Sequence, residues 1–280
     1  MVVVHLLFID TNHRLNQIVH MEISLKFFII MALVNFFIGL SKGGLGGPIP
    51  VALTVPLLSQ VLTVPQAISI SLPFLMFGDA FALRIYWHDW DERQIRLLLL
   101  PAVVGVALGL LLLTTLPDIA LRRILGVAAL LVIGYKLSST YLVSMNYRPA
   151  NWHGYLTGGV AGFASALANT GSPPFTAYML LQNLSPRVFI GTSTLFFAIV
   201  NGLKFLGILS ADMIGLETTT NFDFALIARS LWAAPLIPIG VWLGRKLIDW
   251  INPTAFEWIM IGFLFAASLT LLLTTPLQTQ

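Results

Sequence analysis

Long apolar runs fill this chain, and two of them are interrupted by glycine and proline. The breaks are Gly43-Gly44-Leu45-Gly46-Gly47-Pro48-Ile49-Pro50 and Asn169-Thr170-Gly171-Ser172-Pro173-Pro174. Runs such as Ile23–Leu40, Leu97–Leu116 and Ile259–Thr274 approach the ~20 residues a helix needs to cross the hydrocarbon layer. Lipid offers backbone amides no hydrogen-bond partner, so broken backbone at that depth is tolerated only inside protein or along a polar cavity. One break in each half of the chain is the pattern of a transporter whose substrate site lies between two repeats.

Composition settles the class. Of 280 residues, 57% are apolar and only 10% charged, against ~25% charged in a soluble domain. The expected fold class is an all-α polytopic membrane protein, built of two homologous repeats with short, broken helices at the centre and eight to ten spans. The net charge of +3 is scattered over many short loops, as in a chain orienting itself in a bilayer rather than one binding nucleic acid. Cysteine is absent, which excludes disulfides, thiolate metal sites and a thiol nucleophile. The histidines, His5, His13, His20, His88 and His153, lie near the N-terminus or at expected helix ends. No His/Asp/Glu cluster has metal-ligand spacing, so neither metal nor cofactor is expected.

Residues 1–22 are expected to form an N-terminal extension outside the spans. Val2–Ile9 is too short to cross and lacks the flanks of a cleavable signal, and residues 1–20 are expected to be dispensable or a mis-assigned start. The first repeat then occupies 23–143, with apolar segments at 23–41, 48–62, 64–87, 94–116 and 119–143. After a polar linker at 144–151 the second repeat, 152–276, has segments at 152–168, 173–184, 187–210, 224–248 and 255–275. An offset of 124 places Gly47 on Gly171, Pro50 on Pro174, Leu57 on Leu181, Val64 on Val188, Ser69 on Ser193 and Gly78 on Gly202. An offset of 135 places Gly105 and Gly109 on Gly240 and Gly244, and one residue more places Gly126 on Gly262. Weak symmetry of this kind is what transporter repeats show.

Whether the repeats are parallel or inverted turns on the short second segments. Eight spans give parallel repeats and ten give inverted ones. The loop around His88–Arg96 carries Arg93 and Arg96, whereas Ser210–Asp223 carries Asp212, Glu217 and Asp223 without a cation. Cationic loops stay cytoplasmic, so ten spans, with these loops on opposite sides, is the expectation. Arg122 and Arg123 then fall on the unfavoured side.

The breaks also suggest a chemistry. Pro48 and Pro173 stand where a helix can begin, and the preceding glycines can turn freely. A helix N-terminus carries partial positive charge and unsatisfied N–H donors, which suits an anion. Lys42, Gly43, Gly44, Gly46 and Gly47 are the candidate binding residues of the first break. Asn169, Thr170, Gly171 and Ser172 are those of the second, with hydroxyl and amide groups. Against this stands the plainer reading that the glycines only let helices approach, with Lys42 snorkelling to an interface.

Ionisable groups inside apolar segments are costly and therefore candidates for function. Asp79 is the proton-coupling candidate, unless it merely pairs with Arg84 five residues on. Asn201 and Lys204, three apart on one helix face, are expected to line the same path. Arg84 and Arg229 lie near segment ends as anchors. Tyr86–Trp90 reads as an interfacial aromatic belt, and the two Gly-x-x-x-Gly pairs as helix-packing faces.

These residues resemble a known family. Gly39-Leu40-Ser41-Lys42-Gly43-Gly44-Leu45-Gly46-Gly47, Tyr86-Trp87-His88-Asp89-Trp90-Asp91 and Leu100–Gly109 are similar to motifs of the TauE/SafE sulfite exporters. So are Gly171–Tyr178, Gly191-Thr192-Ser193, Phe196–Asn201 and Leu236–Gly244 with its Leu243-Gly244-Arg245 ending. The resemblance runs in order from about 30 to 275. It implies a bacterial inner-membrane permease for sulfite, sulfonates or related organic anions, often driven by the proton gradient. Relatives commonly carry histidine where this chain has Asn169, and Gly-Gly-Pro-Pro where it has Gly171-Ser172-Pro173-Pro174. The first change removes a titratable group; the second adds a hydroxyl beside the anion.

The expected function is a secondary transporter of a small anion, not an enzyme. Its expected partners are that anion and the lipid bilayer, with protons as the candidate coupling ion, a second copy of the chain as a candidate homodimer partner, and no nucleic acid. A non-transporting membrane scaffold is the main alternative. An intramembrane hydrolase using Ser172 fails for want of a base, because only His153 offers one and it sits at a helix start.

Overall fold

The computed structural model describes residues 25–45, 49–143, 150–182, 184–213, 222–247 and 253–273. Gly46, Gly47 and Pro48 lie outside these residues, as do the N-terminal extension and most of the linker. The described residues form helices joined by short turns, without a strand. Helix α1 spans Leu25–Lys42. It is followed by α2 (Ile49–Ala52), α3 (Thr54–Leu58), α4 (Val64–Ile85), α5 (Glu92–Thr115) and α6 (Asp118–Val143). The second half holds α7 (Asn151–Ala168), α8 (Ser172–Leu180), α9 (Pro186–Met213), α10 (Phe224–Ser230), α11 (Leu236–Leu247) and α12 (Pro253–Leu273).

Local chemistry starts these helices. Thr63 and Gln66 form a capping box at α4, with Pro65 between them in the first turn, which satisfies orphan amides reciprocally. The Asp91 carboxylate accepts from the Gln94 amide at α5, and Asp223 does the same for Leu226 at α10. Among the described residues, five helices are long and apolar enough to cross a membrane: α1, α4, α5, α9 and α12. Their outward faces are apolar too, with Leu100, Leu206 and Phe263 exposed, as lipid contact requires.

The segment expected as one helix at 224–248 is broken instead. It forms α10, a 3-10 turn at Leu231–Ala233, and α11, bent by 42°. Pro235 begins the new direction, because a proline has no N–H to continue the ladder. Taken as one bent span, this pair is a sixth crossing. The short segments at 48–62 and 173–184 reduce to α2–α3 and α8. The nine residues of α8 reach about 14 Å, too short to cross as helix. Both fold back on the helix before them: Val55 and Leu58 share a core cluster with Ile30, Met31 and Val34. In the second hairpin, a Cβ on Gly154 of α7 would lie 2.9 Å from the Tyr178 hydroxyl of α8.

Chain direction follows from which residues touch. Helices α4 and α9 run antiparallel: Leu72 clusters with Ile208, Asp79 bonds Asn201, and Asp89 beyond α4 pairs with Arg187. Helices α6 and α12 are antiparallel as well, since Gly126 lies against Leu272 while Val132 clusters with Ile261. By contrast α1 runs parallel to α11, and α5 to α7. Added Cβ atoms on Gly39 and Gly43 would stand 2.9 and 3.1 Å from the Cα atoms of Gly240 and Gly244. On α7, Cβ atoms on Gly158 and Gly162 would each stand 2.9 Å from the Cα atoms of Leu98 and Ala102 on α5. From α5, a Cβ on Gly105 would run into the Gly159 carbonyl oxygen, and one on Gly109 would stand 2.9 Å from that of Phe163. The pairs Gly105/Gly109 and Gly240/Gly244 are therefore seams where backbones meet.

Candidate functional site

Both breaks begin beside one buried polar cluster. Lys42, the last residue of α1, donates to one oxygen of Asp79 on α4. The other Asp79 oxygen accepts from Asn201 Nδ2 on α9 at 2.7 Å. One turn further along α9, Lys204 donates to Asn169 Oδ1 at 2.6 Å, Ser165 carbonyl at 3.1 Å and Ser165 Oγ at 3.4 Å. Asn169 in turn donates through Nδ2 to Ser71 Oγ on α4 at 3.1 Å, and the Ser71 hydroxyl donates to the Ile68 carbonyl. Asp79 and Lys204 are 1% and 0% exposed, so these charges depend on each other and on the hydrogen bonds.

Each of these groups is held for a local reason. Helix α7 ends when Asn169 enters the left-handed region at φ 53°, which asparagine tolerates better than most side chains. Lys204 sits over the carbonyl end of α7, where a cation meets the negative end of the helix dipole. Ser71 has one hydrogen, spent on Ile68, so its oxygen can only accept from Asn169. That fixes the amide of Asn169 with its oxygen toward Lys204.

The structure brings together Lys42, Asp79, Asn201, Lys204 and Asn169. Among the described residues, the amides of Gly43, Gly44, Leu45 and Thr170 are not open donors. The N–H groups of Gly43, Gly44 and Leu45 bond to the carbonyls of Gly39, Ser41 and Leu40, closing α1, and Gly44 has φ 94°. Gly43 and Gly171 are close-packing positions, against α11 and α7 respectively. Thr170 turns back on the Ala164 carbonyl with both its amide and its hydroxyl. In the first turn of α8 Pro173 and Pro174 have no N–H to offer, which leaves the half-buried Ser172 to supply donors there. Among the described residues, side chains carry most of the polarity of this site.

Other placements refine the charges. Asp79 turns to Lys42 and Asn201, while Arg84 is exposed, as is Arg229. Arg122 is buried: it pairs with Asp118 at 2.6 Å and donates to the Ser59 and Leu62 carbonyls. It braces the turn after α3, so it is a structural residue rather than a loop charge voting on topology. His153 engages the Ala150 amide in the first turn of α7, at the opposite end of that helix from the break. Ser71 and Ser165 escaped the reading of the sequence. Their one signal is position, a hydroxyl in an apolar run and a hydroxyl four residues before the Asn169 cap.

Comparison with curated proteins and with solved structures gives no match. Residues 27–271, nearly the whole chain, match the family described as sulfite exporter TauE/SafE. A transporter family accounts for helices that are apolar outside and charged within, and it leaves no place for a hydrolase at Ser172. The chain is a multi-pass membrane protein of the sulfite exporter TauE/SafE family.

Proposed function

We propose that this protein is a secondary transporter of a small anion such as sulfite, a sulfonate or a related organic anion, working in a bacterial inner membrane. The observation that carries this reading is convergence. The end of α1, the turn between α7 and α8, and the charged positions of α4 and α9 meet in one buried cluster. Lys42, whose side chain is 14% exposed against 1% for Asp79, is the member an entering anion reaches first. In this reading Asp79 is the resident counter-ion, displaced from Lys42 when substrate arrives, and it is the group a coupling proton would neutralise. Lys204 and Asn201 hold the inner wall, and Ser172 donates from the start of α8.

The arrangement of chain directions supports inverted repeats in the same reading. With α1–α6 set against α7–α12, the counterparts α4 and α9 are antiparallel, as are α6 and α12, and the seams α1–α11 and α5–α7 exchange places. A two-fold axis in the membrane plane produces that pattern, and it lets one half rock against the other around a fixed site.

Flux into proteoliposomes tests the function. Purified protein should accelerate entry of sulfite or methanesulfonate above empty liposomes, and Lys42→Ala should abolish the increment. No substrate-stimulated flux, or full flux with both Lys42→Ala and Ser172→Ala, overturns the proposal.

A further inference from the structure

We infer that the site selects its substrate by charge, taking anions that carry one negative charge in preference to those that carry two. This rests on the transport reading above and adds a rule that the reading does not contain. Three ionised side chains meet in the described cluster: Lys42 and Lys204 are cations, and Asp79 is the anion. Asn201, Asn169, Ser71 and Ser165 are neutral partners. The other buried cation among the described residues, Arg122, is neutralised by Asp118 at the turn after α3. The cluster therefore has a formal charge of one positive unit.

Lys204 belongs in that sum as an ammonium. Its Nζ donates to three acceptors, the Asn169 amide oxygen, the Ser165 carbonyl and the Ser165 hydroxyl oxygen, which uses the three N–H groups of an ammonium, and it stands at the carbonyl end of α7, where a cation is favoured. Away from water an uncompensated charge is expensive, and it is relieved when one opposite charge arrives. A singly charged anion brings the loaded cluster to zero. A doubly charged one leaves it negative, so a dianion enters well only after taking up a proton. For sulfite the transported form is then hydrogensulfite, so one proton travels on the substrate itself.

Methanesulfonate and sulfate make the test, because they are similar in size and shape and differ by one permanent charge. Affinities of the purified full-length protein are measured by anion-dependent thermal stabilisation, and uptake by proteoliposome flux. Wild type should favour methanesulfonate over sulfate by about tenfold or more, a conservative reading of one unmatched charge in an apolar interior. Asp79→Asn raises the cluster to two positive units and should move the preference toward sulfate. Should that variant fail to fold, Lys42→Gln, which brings the cluster to zero, should weaken methanesulfonate about tenfold while leaving sulfate no better. Equal affinity for the two anions in wild type, or a ratio unchanged in a folded Asp79→Asn protein, overturns the charge rule alone. If neither these anions nor sulfite bind or move, the transport reading falls and this inference with it.

Discussion

Asp79 holds the cluster together at the scale of single residues. It is buried, and its two oxygens serve Lys42 on one side and Asn201 on the other. Removing one partner of a buried ion pair strands the other charge. Asp79→Asn should therefore lower unfolding stability by about 3–5 kcal/mol, read as a fall in the thermal midpoint in detergent. Asn169 tests a different cause. Asn169→Ala loses both hydrogen bonds and the tolerance for positive φ, whereas Asn169→Gly loses only the hydrogen bonds. The glycine variant should be more stable than the alanine variant by about 1–2 kcal/mol, and equal stabilities would show that the left-handed turn is not retained. Lys42, Asp79, Asn201 and Lys204 are legible as candidates because charge and amide stand out in apolar sequence. Their partners are not. Spacing along one helix suggests Arg84 for Asp79, but the true partners come from α1 and α9, and contacts between helices leave no local periodicity.

Among the elements, two glycine seams set how closely the halves approach. Gly39 and Gly43 meet Gly240 and Gly244 backbone to backbone, and Gly158 and Gly162 meet Leu98 and Ala102. Gly240→Ala should separate α1 from α11 and cost about 1–3 kcal/mol through overpacking. Gly262→Ala, on an open face of α12 with nothing within 4 Å, should instead be neutral or stabilise by up to about 1 kcal/mol from helix propensity. A thermal midpoint that falls equally for both would contradict the seam. The Gly-x-x-x-Gly spacing was readable because packing glycines must recur on one helix face. The bend between α10 and α11 was not, because proline in sequence is ambiguous: Pro73 and Pro101 lie inside unbroken helices α4 and α5, while Pro235 stands at a break. The glycines of the breaks carried a second ambiguity. Their amides were expected to face a ligand, and those of Gly43 and Gly44 are spent on closing α1.

Across the whole molecule, the antiparallel run of α4 and α9 decides how the loops lie. The loop after α4 packs on the start of α9 through Asp89 and Arg187, and the Asp91 amide donates to Thr192 Oγ1. The segment after Met213 leaves from the other end of α9. Single cysteines at Glu92 and Glu217, introduced into a chain that has none, should therefore label from opposite sides of the membrane. Labelling of both from one side would contradict inverted repeats. Loop charge had pointed the same way, with Arg122 and Arg123 as the objection. That objection weakens once Arg122 is seen bracing a turn, donating to the distant Ser59 and Leu62 carbonyls.

The central claim is that the cluster joining the two halves is the anion site, and anion-dependent stabilisation of the purified protein tests it most directly. Titrated with hydrogensulfite or methanesulfonate to about 100 times the dissociation constant, wild type should gain about 2.7 kcal/mol of stability. Lys42→Gln should gain far less at the same concentration. An equal gain in wild type and Lys42→Gln would place the anion elsewhere, and no gain in wild type with either anion would contradict the account.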